Sequence, residues 1–178
     1  AQCGGGFDGF VSGLAAEALA KGYDGAMVNA FFAGVRQDQK VLQADRAQGV
    51  FRKDFIDFSR SVISAGRLQN GGRNAQKYAS VLKRAQAEYG VSPGVLLAFW
   101  ALETDYGAVQ GNFNTLNALV TLAHDCRRPD LFRPQIFSAL ELYKRGDFDP
   151  RGTTGAWAGE IGQVQMLPAD ILHNGVDG

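Results

Sequence analysis

The chain has 178 residues, 46% apolar and 20% charged, and its 18 basic and 18 acidic residues give a formal net charge of zero. This length fits one domain, or one domain with a small appendage, and is long enough for a hydrophobic core. A neutral chain argues against nucleic acid or an anionic membrane surface as the main partner, because both favour a positive surplus. No apolar stretch approaches the roughly 18–20 residues that cross a bilayer.

The first half of the chain reads as successive helices. Asp8 is a candidate N-cap for a first helix that ends before Gly22, and Asp24 is the candidate cap of a second. Residues 36–49 are polar with little apolar pattern, which predicts an exposed connector. Two further helices are marked by Phe51, Phe55, Phe58 and Val62, ending near Gly66, and by Tyr78, Val81, Leu82, Ala85 and Tyr89, closed by Gly90.

The second half adds a central helix and several shorter ones. Ser92 as N-cap and Pro93 at the first helical position predict that the run from Val95 to Leu102 is helical. Because the run has no polar member, we expect it to be buried on all sides. Helices are also predicted after Asn114, over 134–145 and from Pro168, with a glycine-rich loop and room for a small hairpin over 146–162.

These elements predict a mainly α protein with very little β structure. The Gly-Gly-Arg at 71–73 is the best internal boundary in the sequence. We therefore expect an N-terminal helical subdomain over 1–72 and a core over 73–178.

The two cysteines, Cys3 and Cys126, lie far apart and match no metal-binding motif, because metal sites usually show closely spaced pairs. The two cysteines could be unrelated free thiols or could form one disulfide, and we favour the disulfide. A disulfide would indicate an oxidising compartment. The histidines, His124 and His173, lack a partner at metal-ligand spacing. We expect both to be structural or surface residues, with no metal and no cofactor bound.

Glu103 is the first candidate for chemistry, because it ends the apolar run in VLLAFWALETDYG. On a helix, Phe99 and Trp100 lie four and three residues before it and place two rings beside its carboxyl group. Apolar surroundings disfavour a charged carboxylate, and a carboxylic acid that keeps its proton can protonate a leaving oxygen in glycoside cleavage. Alternatively, Glu103 is simply the first exposed residue after a buried run.

The second candidate segment is GEIGQVQMLP at 159–168, a G-x-x-G-x-x-Q-x-x-P pattern. Paired glycines allow a backbone to approach a ligand closely. Gln165 offers both a hydrogen-bond donor and an acceptor. By itself the pattern is unspecific, because glycine-rich loops are common and a single glutamine is usually a surface residue.

Together the two segments are more specific. A Glu-Thr-x-Tyr-Gly followed about 55 residues later by this pattern, with NTLNALVTLAHDCRRPDLF between them, resembles the membrane-bound lytic transglycosylase B family, glycoside hydrolase family 103. The resemblance covers essentially the whole chain and is strongest over 93–168. It implies a lysozyme-like α-helical catalytic core. It also implies a C-terminally truncated form, since family members continue beyond the point that matches NGVDG.

The resemblance implies an activity and a location. Glu103 matches the single catalytic glutamate of the family, which acts first as acid and then as base. Family members cleave the MurNAc–GlcNAc bond of peptidoglycan without water, and the muramyl 6-hydroxyl closes a 1,6-anhydro ring. We therefore expect a cofactor-free, monomeric enzyme of the periplasm of a Gram-negative bacterium. Glycan strands would be its partner, with outer-membrane association and cell-wall synthesis partners left open.

The same resemblance suggests residues that contact substrate. Gln165 matches a sugar-contacting glutamine, Met166 stands where the family often has Phe, and Tyr106 and Trp157 could stack on sugar rings. Arg127 and Arg128 resemble, one residue out of register, an arginine pair near the peptide stem. For each aromatic the alternative is core packing, and for the arginines a solvated surface. Ala156-Trp157 replaces a Ser-Phe pair common in the family.

Two other functions remain open. A lysozyme-like hydrolase would use Glu160 or Asp105 as a second carboxylate to position a water molecule. A non-catalytic peptidoglycan-binding module would keep sugar binding without turnover.

Overall fold

The computed structural model describes residues 2–47 and 54–176. Within them the chain is mainly α, as predicted, with two strands of two residues each. The described elements, in chain order, are α1 (Phe7–Ala20), α2 (Gly25–Phe32), α3 (Gln39–Arg46), α4 (Phe55–Val62), α5 (Ala65–Lys77), α6 (Ala79–Tyr89), α7 (Pro93–Thr104), β1 (Phe113–Asn114), α8 (Thr115–His124), α9 (Pro129–Arg145), β2 (Thr154–Gly155) and α10 (Pro168–Asn174).

The described residues form two compact units. Unit 1 consists of 2–47, 111–161 and 166–176, and unit 2 consists of 54–110 and 162–165. These limits differ from the predicted division after residue 72, which falls inside α5. The glycine pair at 71–72 does not break that helix. A Cβ on Gly71 would lie 2.6 Å from the Tyr106 hydroxyl, so this glycine makes room for a neighbouring side chain.

The core of unit 1 is built around α8, in which every residue from Thr115 to Ala123 is buried. Helices α1, α3 and α9 pack against it. The buried cluster also includes Leu14, Phe31 and Ile136. The strands pair antiparallel, Phe113 with Gly155 and Asn114 with Thr154, and Gly155 forms a further bridge with Ile161.

Three of the predicted helix starts are confirmed by their caps. Side chains of Asp24, Ser92 and Asn114 accept hydrogen bonds from backbone N–H groups three residues further on. The prediction for Asp8 is wrong: Gly6 is the N-cap of α1, and Asp8 lies in the first turn, where a negative charge suits the helix dipole. Helix α9 starts at Pro129 instead of 134 and carries Pro134 inside it.

The predicted connector over 36–49 instead contains helix α3. Asp38 caps this helix, and Val41 and Asp45 are buried in it. A helix with only two buried positions, one of them charged, has no apolar periodicity by which it could be predicted from the sequence. Positions 48–49 of the connector and Phe51 of the next predicted helix lie outside the described residues. That helix ends at Val62, four residues before the predicted end near Gly66. Helix α5, which begins at Ala65, was not predicted.

In unit 2, α7 packs against α5 and α6. The expectation that its apolar run is buried on all sides is wrong, because Val95, Phe99 and Leu102 are 46%, 59% and 56% exposed. The described helices of this unit cover one side of α7, where Ala101 and Thr104 are buried. In the described part of the chain, no helix has both the length and the apolar character needed to span a membrane.

Candidate active site

Glu103 lies in the last turn of α7 and is exposed. The two rings expected to desolvate it do not enclose it, since Phe99 is itself exposed. Neither a hydrogen bond nor an ion pair joins its carboxylate to another described residue. The carboxyl group is therefore available to a molecule that approaches the end of this helix.

The chain turns sharply after Glu103. Asp105 and Tyr106 both adopt positive φ (50° and 60°) and Gly107 follows at 87°. For residues other than glycine this conformation costs about 1–2 kcal/mol each, so other contacts must hold it. Arg67 of α5 supplies two: its Nε donates to Asp105 at 3.1 Å, and its carbonyl accepts from the Tyr106 hydroxyl at 3.1 Å. Tyr106 is half-buried and held in this turn, and stacking of its ring on a sugar stays a prediction.

The loop 162–165 meets α7 through Thr104. The Thr104 hydroxyl donates to the Gln163 carbonyl at 2.6 Å and accepts from the Gly107 N–H at 2.9 Å. The Gln163 side chain makes a second hydrogen bond between the loop and α7, in which its Oε1 accepts from the Trp100 indole N–H at 2.7 Å. Trp100 in turn packs edge-on against Tyr78 and Tyr106, with ring centroids 5.4 Å apart in each case.

Gln165 lies in this same loop and in the same unit as Glu103. Its φ is 53°, and its Nε2 donates to the carbonyls of Gln110 at 3.3 Å and Gly162 at 2.9 Å. A non-glycine residue in the left-handed region is held there by its surroundings, and such residues cluster at functional sites. The fixed amide makes Gln165 the second polar side chain of the candidate site.

The two glycines of the G-x-x-G pattern have different roles. A Cβ on Gly159 would lie 2.3 Å from Leu119 Cδ2, so this glycine lets the backbone approach the core of unit 1. A Cβ on Gly162 would meet nothing within 4 Å, and its φ of 79° is the reason for glycine there. The first glycine therefore serves packing, whereas close approach to a ligand was the expectation.

Trp157 and Met166 belong to unit 1. Trp157 is half-buried and packs against the core, in agreement with the alternative stated for an aromatic residue. Met166 pairs with Ile161 through two backbone hydrogen bonds of 2.9 and 3.1 Å, which close the loop 162–165 at its base. Substrate contact by these two side chains stays a prediction. The backbone carbonyl of Glu160 accepts from Ala156 N–H at 3.0 Å, in the same unit.

Arg127 and Arg128 are both bound to one buried carboxylate. Asp45 of α3 is 1% exposed; Arg127 Nη1 lies 2.5 Å from its Oδ2, and Arg128 Nη2 donates to its Oδ1. This arrangement ties α3 to the segment before α9. A buried charge needs such partners, which gives the pair a structural role. Binding to a peptide stem stays a prediction for both.

The disulfide between Cys3 and Cys126 is confirmed, with Cα atoms 5.2 Å apart. It joins the N-terminus to the loop that follows α8. His124 lies beside it: its ring packs edge-on against Phe7 and Phe10, and its Nε2 lies 2.9 Å from the Gly5 carbonyl. His173 Nδ1 lies 2.7 Å from the Ala169 carbonyl within α10. Within 2–47 and 54–176, no group of three or more His, Cys, Asp or Glu side chains is placed to hold a metal ion.

Three residues of the site were missed in the sequence. Thr104 was noted only as part of the Glu-Thr-x-Tyr-Gly motif, with no role of its own. Gln163 occupies a variable position of the loop pattern, and Arg67 lies in a helix that was not predicted. A buried threonine in the last turn of an apolar helix carries a weak signal, because its hydroxyl needs a partner. Nothing in the sequence says which partner that is.

Comparisons with known proteins show which family this chain resembles. The family described as "Transglycosylase SLT domain" matches residues 6–178. The membrane-bound lytic murein transglycosylase B of Escherichia coli (strain K12) is 29% identical over 124 residues, which cover 69% of this chain and 34% of that protein.

Solved structures show the same relationship. SltB3 from Pseudomonas aeruginosa, in complex with NAG-anhNAM-pentapeptide, is 32% identical with a TM-score of 0.90 over 98% of this chain and 46% of that chain. The Escherichia coli lytic transglycosylase SLT35, in complex with bulgecin A, is 26% identical with a TM-score of 0.85 over 99% of this chain and 58% of that one. The chain thus spans about a third of the curated relative and about half of each of these two structures.

The family resemblance seen in the sequence is therefore confirmed, together with the lysozyme-like, mainly α fold that it implies. Since the family match extends over nearly the whole chain, this protein belongs to the transglycosylase SLT domain family.

Proposed function

We propose that this chain carries the catalytic glutamate of a lytic transglycosylase that acts on peptidoglycan. The observation that carries the proposal is Glu103, exposed at the end of α7 and followed directly by Thr104, which holds the Gln165 loop. Membership of the transglycosylase family supports the reaction class. The related SltB3 was solved in complex with a NAG-anhNAM-pentapeptide, which supports the class of substrate and product.

In this proposal Glu103 works twice. As an acid it gives its proton to the glycosidic oxygen, so that the bond from the muramyl C1 to that oxygen breaks. As a carboxylate it then takes the proton of the muramyl 6-hydroxyl, whose oxygen bonds to C1 and closes the 1,6-anhydro ring. Glu103 ends the cycle protonated again, and neither water nor a cofactor is consumed.

Gln165 is proposed to hold the sugar during this cycle. Its Nε2 is used in the loop by two backbone carbonyls, and its Oε1 is the acceptor end of the amide. That oxygen suits a sugar hydroxyl or the N–H of an acetamido group. A rigid amide at left-handed φ would fix the position of one sugar relative to Glu103.

Location and partners follow from the substrate. We propose that the chain works in the cell envelope, in the periplasm of a Gram-negative bacterium, where peptidoglycan lies. The Cys3–Cys126 disulfide supports this, because disulfides persist in oxidising compartments. The membrane-bound character of the curated relative agrees with an envelope location. The proposed partners are glycan strands.

The test is a digest of purified peptidoglycan by the 178-residue chain, with Glu103→Gln as the control. Mass spectrometry of the soluble products should show muropeptides that lack one water and end in a 1,6-anhydro sugar. The control should give none of them and should keep its helical circular dichroism spectrum.

Three results would contradict the proposal. Products with free reducing ends would show hydrolysis, the alternative in which Glu160 or Asp105 is the second carboxylate. Glycan binding by the wild-type chain without any product would indicate a binding module. Equal product from Glu103→Gln would remove Glu103 from the mechanism.

A further inference from the structure

We infer that Thr104 is a positioning residue whose hydroxyl group joins the Glu103 helix to the Gln165 loop. The inference rests on the proposed function, since it concerns the residues that carry that reaction. It assigns a role to a side chain that does not itself contact substrate.

The hydroxyl of Thr104 makes two hydrogen bonds of different kinds. It donates to the Gln163 carbonyl at 2.6 Å and accepts from the Gly107 N–H at 2.9 Å. Thr104 is 1% exposed, so its hydroxyl depends on these two partners and not on water. A hydrogen bond made by a buried group is stronger than one at the surface, and a buried polar atom without a partner is costly.

These two bonds act on both chemical segments at once. The Gly107 bond closes the turn that follows Glu103, in which Asp105 and Tyr106 adopt positive φ. The Gln163 bond fixes the loop two residues before Gln165. The proton-transfer group and the proposed sugar-binding amide are therefore held through one oxygen atom.

Two other side-chain hydrogen bonds link the loop to the rest of unit 2, and each is either longer or more exposed. The Trp100–Gln163 bond lies at the surface, and the bond from Gln165 to the Gln110 carbonyl is 3.3 Å long. Of these two bonds and the Thr104–Gln163 bond, only the last is both short and made by a buried side chain. Loss of its hydroxyl should let the loop move relative to α7 while the helix stays formed.

The experiment compares isosteric variants of two buried threonines. Thr104→Val removes the hydroxyl at constant shape, and Thr104→Ser restores it. The matched control is Thr121→Val in unit 1, where a fully buried hydroxyl accepts from the Asp38 N–H at 3.0 Å. Both valine variants should lose thermal stability, because each leaves the partner of a buried hydroxyl without its hydrogen bond. All rates are measured well below the lowest melting temperature.

We expect Thr104→Val to lower kcat for anhydro-muropeptide formation by about tenfold or more, because a small misplacement of reacting groups is costly. KM should change by less than about threefold, since Thr104 does not touch substrate. Thr104→Ser should recover most of kcat, and Thr121→Val should keep it. Backbone amides of 162–165 should exchange faster with solvent in Thr104→Val only.

The outcomes separate this inference from the proposed function. A wild-type chain that makes anhydro products, with kcat unchanged in Thr104→Val, overturns the positioning role alone. An equal fall of kcat in Thr121→Val would do the same, because it would show a general loss of stability. A wild-type chain that makes no anhydro product overturns the proposed function, and the positioning role falls with it.

Discussion

Arg67 Nε donates to the carboxylate of Asp105 at 3.1 Å, although the two residues are 38 positions apart. The same guanidinium donates through Nη1 to the Val62 carbonyl at 2.5 Å, which fixes its direction. The carboxyl group nearest to Glu103 in sequence is therefore bound to α5. This pairing bears directly on whether the site could use a second carboxylate.

The first prediction concerns that carboxylate. Asp105→Asn should keep anhydro products and retain kcat within about threefold, because the proposed reaction uses no water and Glu103 acts as both its acid and its base. Asparagine tolerates the left-handed conformation, so the turn should persist. The free energy of unfolding should fall by at most about 1 kcal/mol, since both side chains are partly exposed. A loss of activity as complete as that of Glu103→Gln would favour the hydrolase.

The second prediction concerns the disulfide, which closes a loop of 123 positions. Replacing Cys3 and Cys126 together by serine should lower the free energy of unfolding by up to about 4–5 kcal/mol in the chain-entropy model. Urea denaturation of both proteins, with and without dithiothreitol, measures this. Reductant should shift the wild-type midpoint towards that of the double variant and leave the variant unchanged. Equal midpoints without reductant would contradict the prediction.

The third prediction uses the two glycines of the G-x-x-G pattern as a matched pair. Both have positive φ, but only at Gly159 would a Cβ collide with a core side chain, Leu119. Gly162→Ala should cost about 1–2 kcal/mol from backbone strain alone. Gly159→Ala should cost roughly 1–3 kcal/mol more, because it also overpacks the core. Thermal denaturation of both variants measures the difference, and equal losses would contradict the packing role.

The fourth prediction concerns pH. Burial raises the pKa of the Tyr23 phenol above its usual 10.0, and the hydrogen bond to Glu141 with its negative charge adds to the rise. The folded state then keeps the proton at a pH at which the unfolded state has lost it. The free energy of unfolding should therefore fall as pH rises through and above about 10. Below that pH the contribution is fully present.

Tyr23→Phe is the variant that tests this effect. It removes the hydroxyl that donates to Glu141 Oε2 at 2.9 Å, and with it the titration. Its free energy of unfolding should decline less steeply than that of the wild type between about pH 9.5 and about pH 11. Parallel curves over this range would show that Tyr23 does not contribute to the pH dependence.

Much of the helical pattern could be predicted because local signals act over three or four residues. The caps Asp24, Ser92 and Asn114 were predicted correctly, because a short polar side chain before an apolar run can accept a hydrogen bond from a free N–H group of the first helical turn. Helix α3 was missed because its buried face includes the charge of Asp45. That charge is stable there only because Arg127 and Arg128, 82 and 83 positions away, meet it.

The candidate site divides in the same way. By itself the sequence determined that Glu103 ends a helix, that Gln165 lies in a glycine-rich loop, and that Cys3 could pair with Cys126. Tertiary structure alone decided that Glu103 is exposed, that Arg67 binds Asp105, and that Thr104 joins helix to loop. The physical reason is range: caps and periodicity depend on neighbours in the chain, whereas burial and hydrogen-bond partners depend on which distant segments fold together.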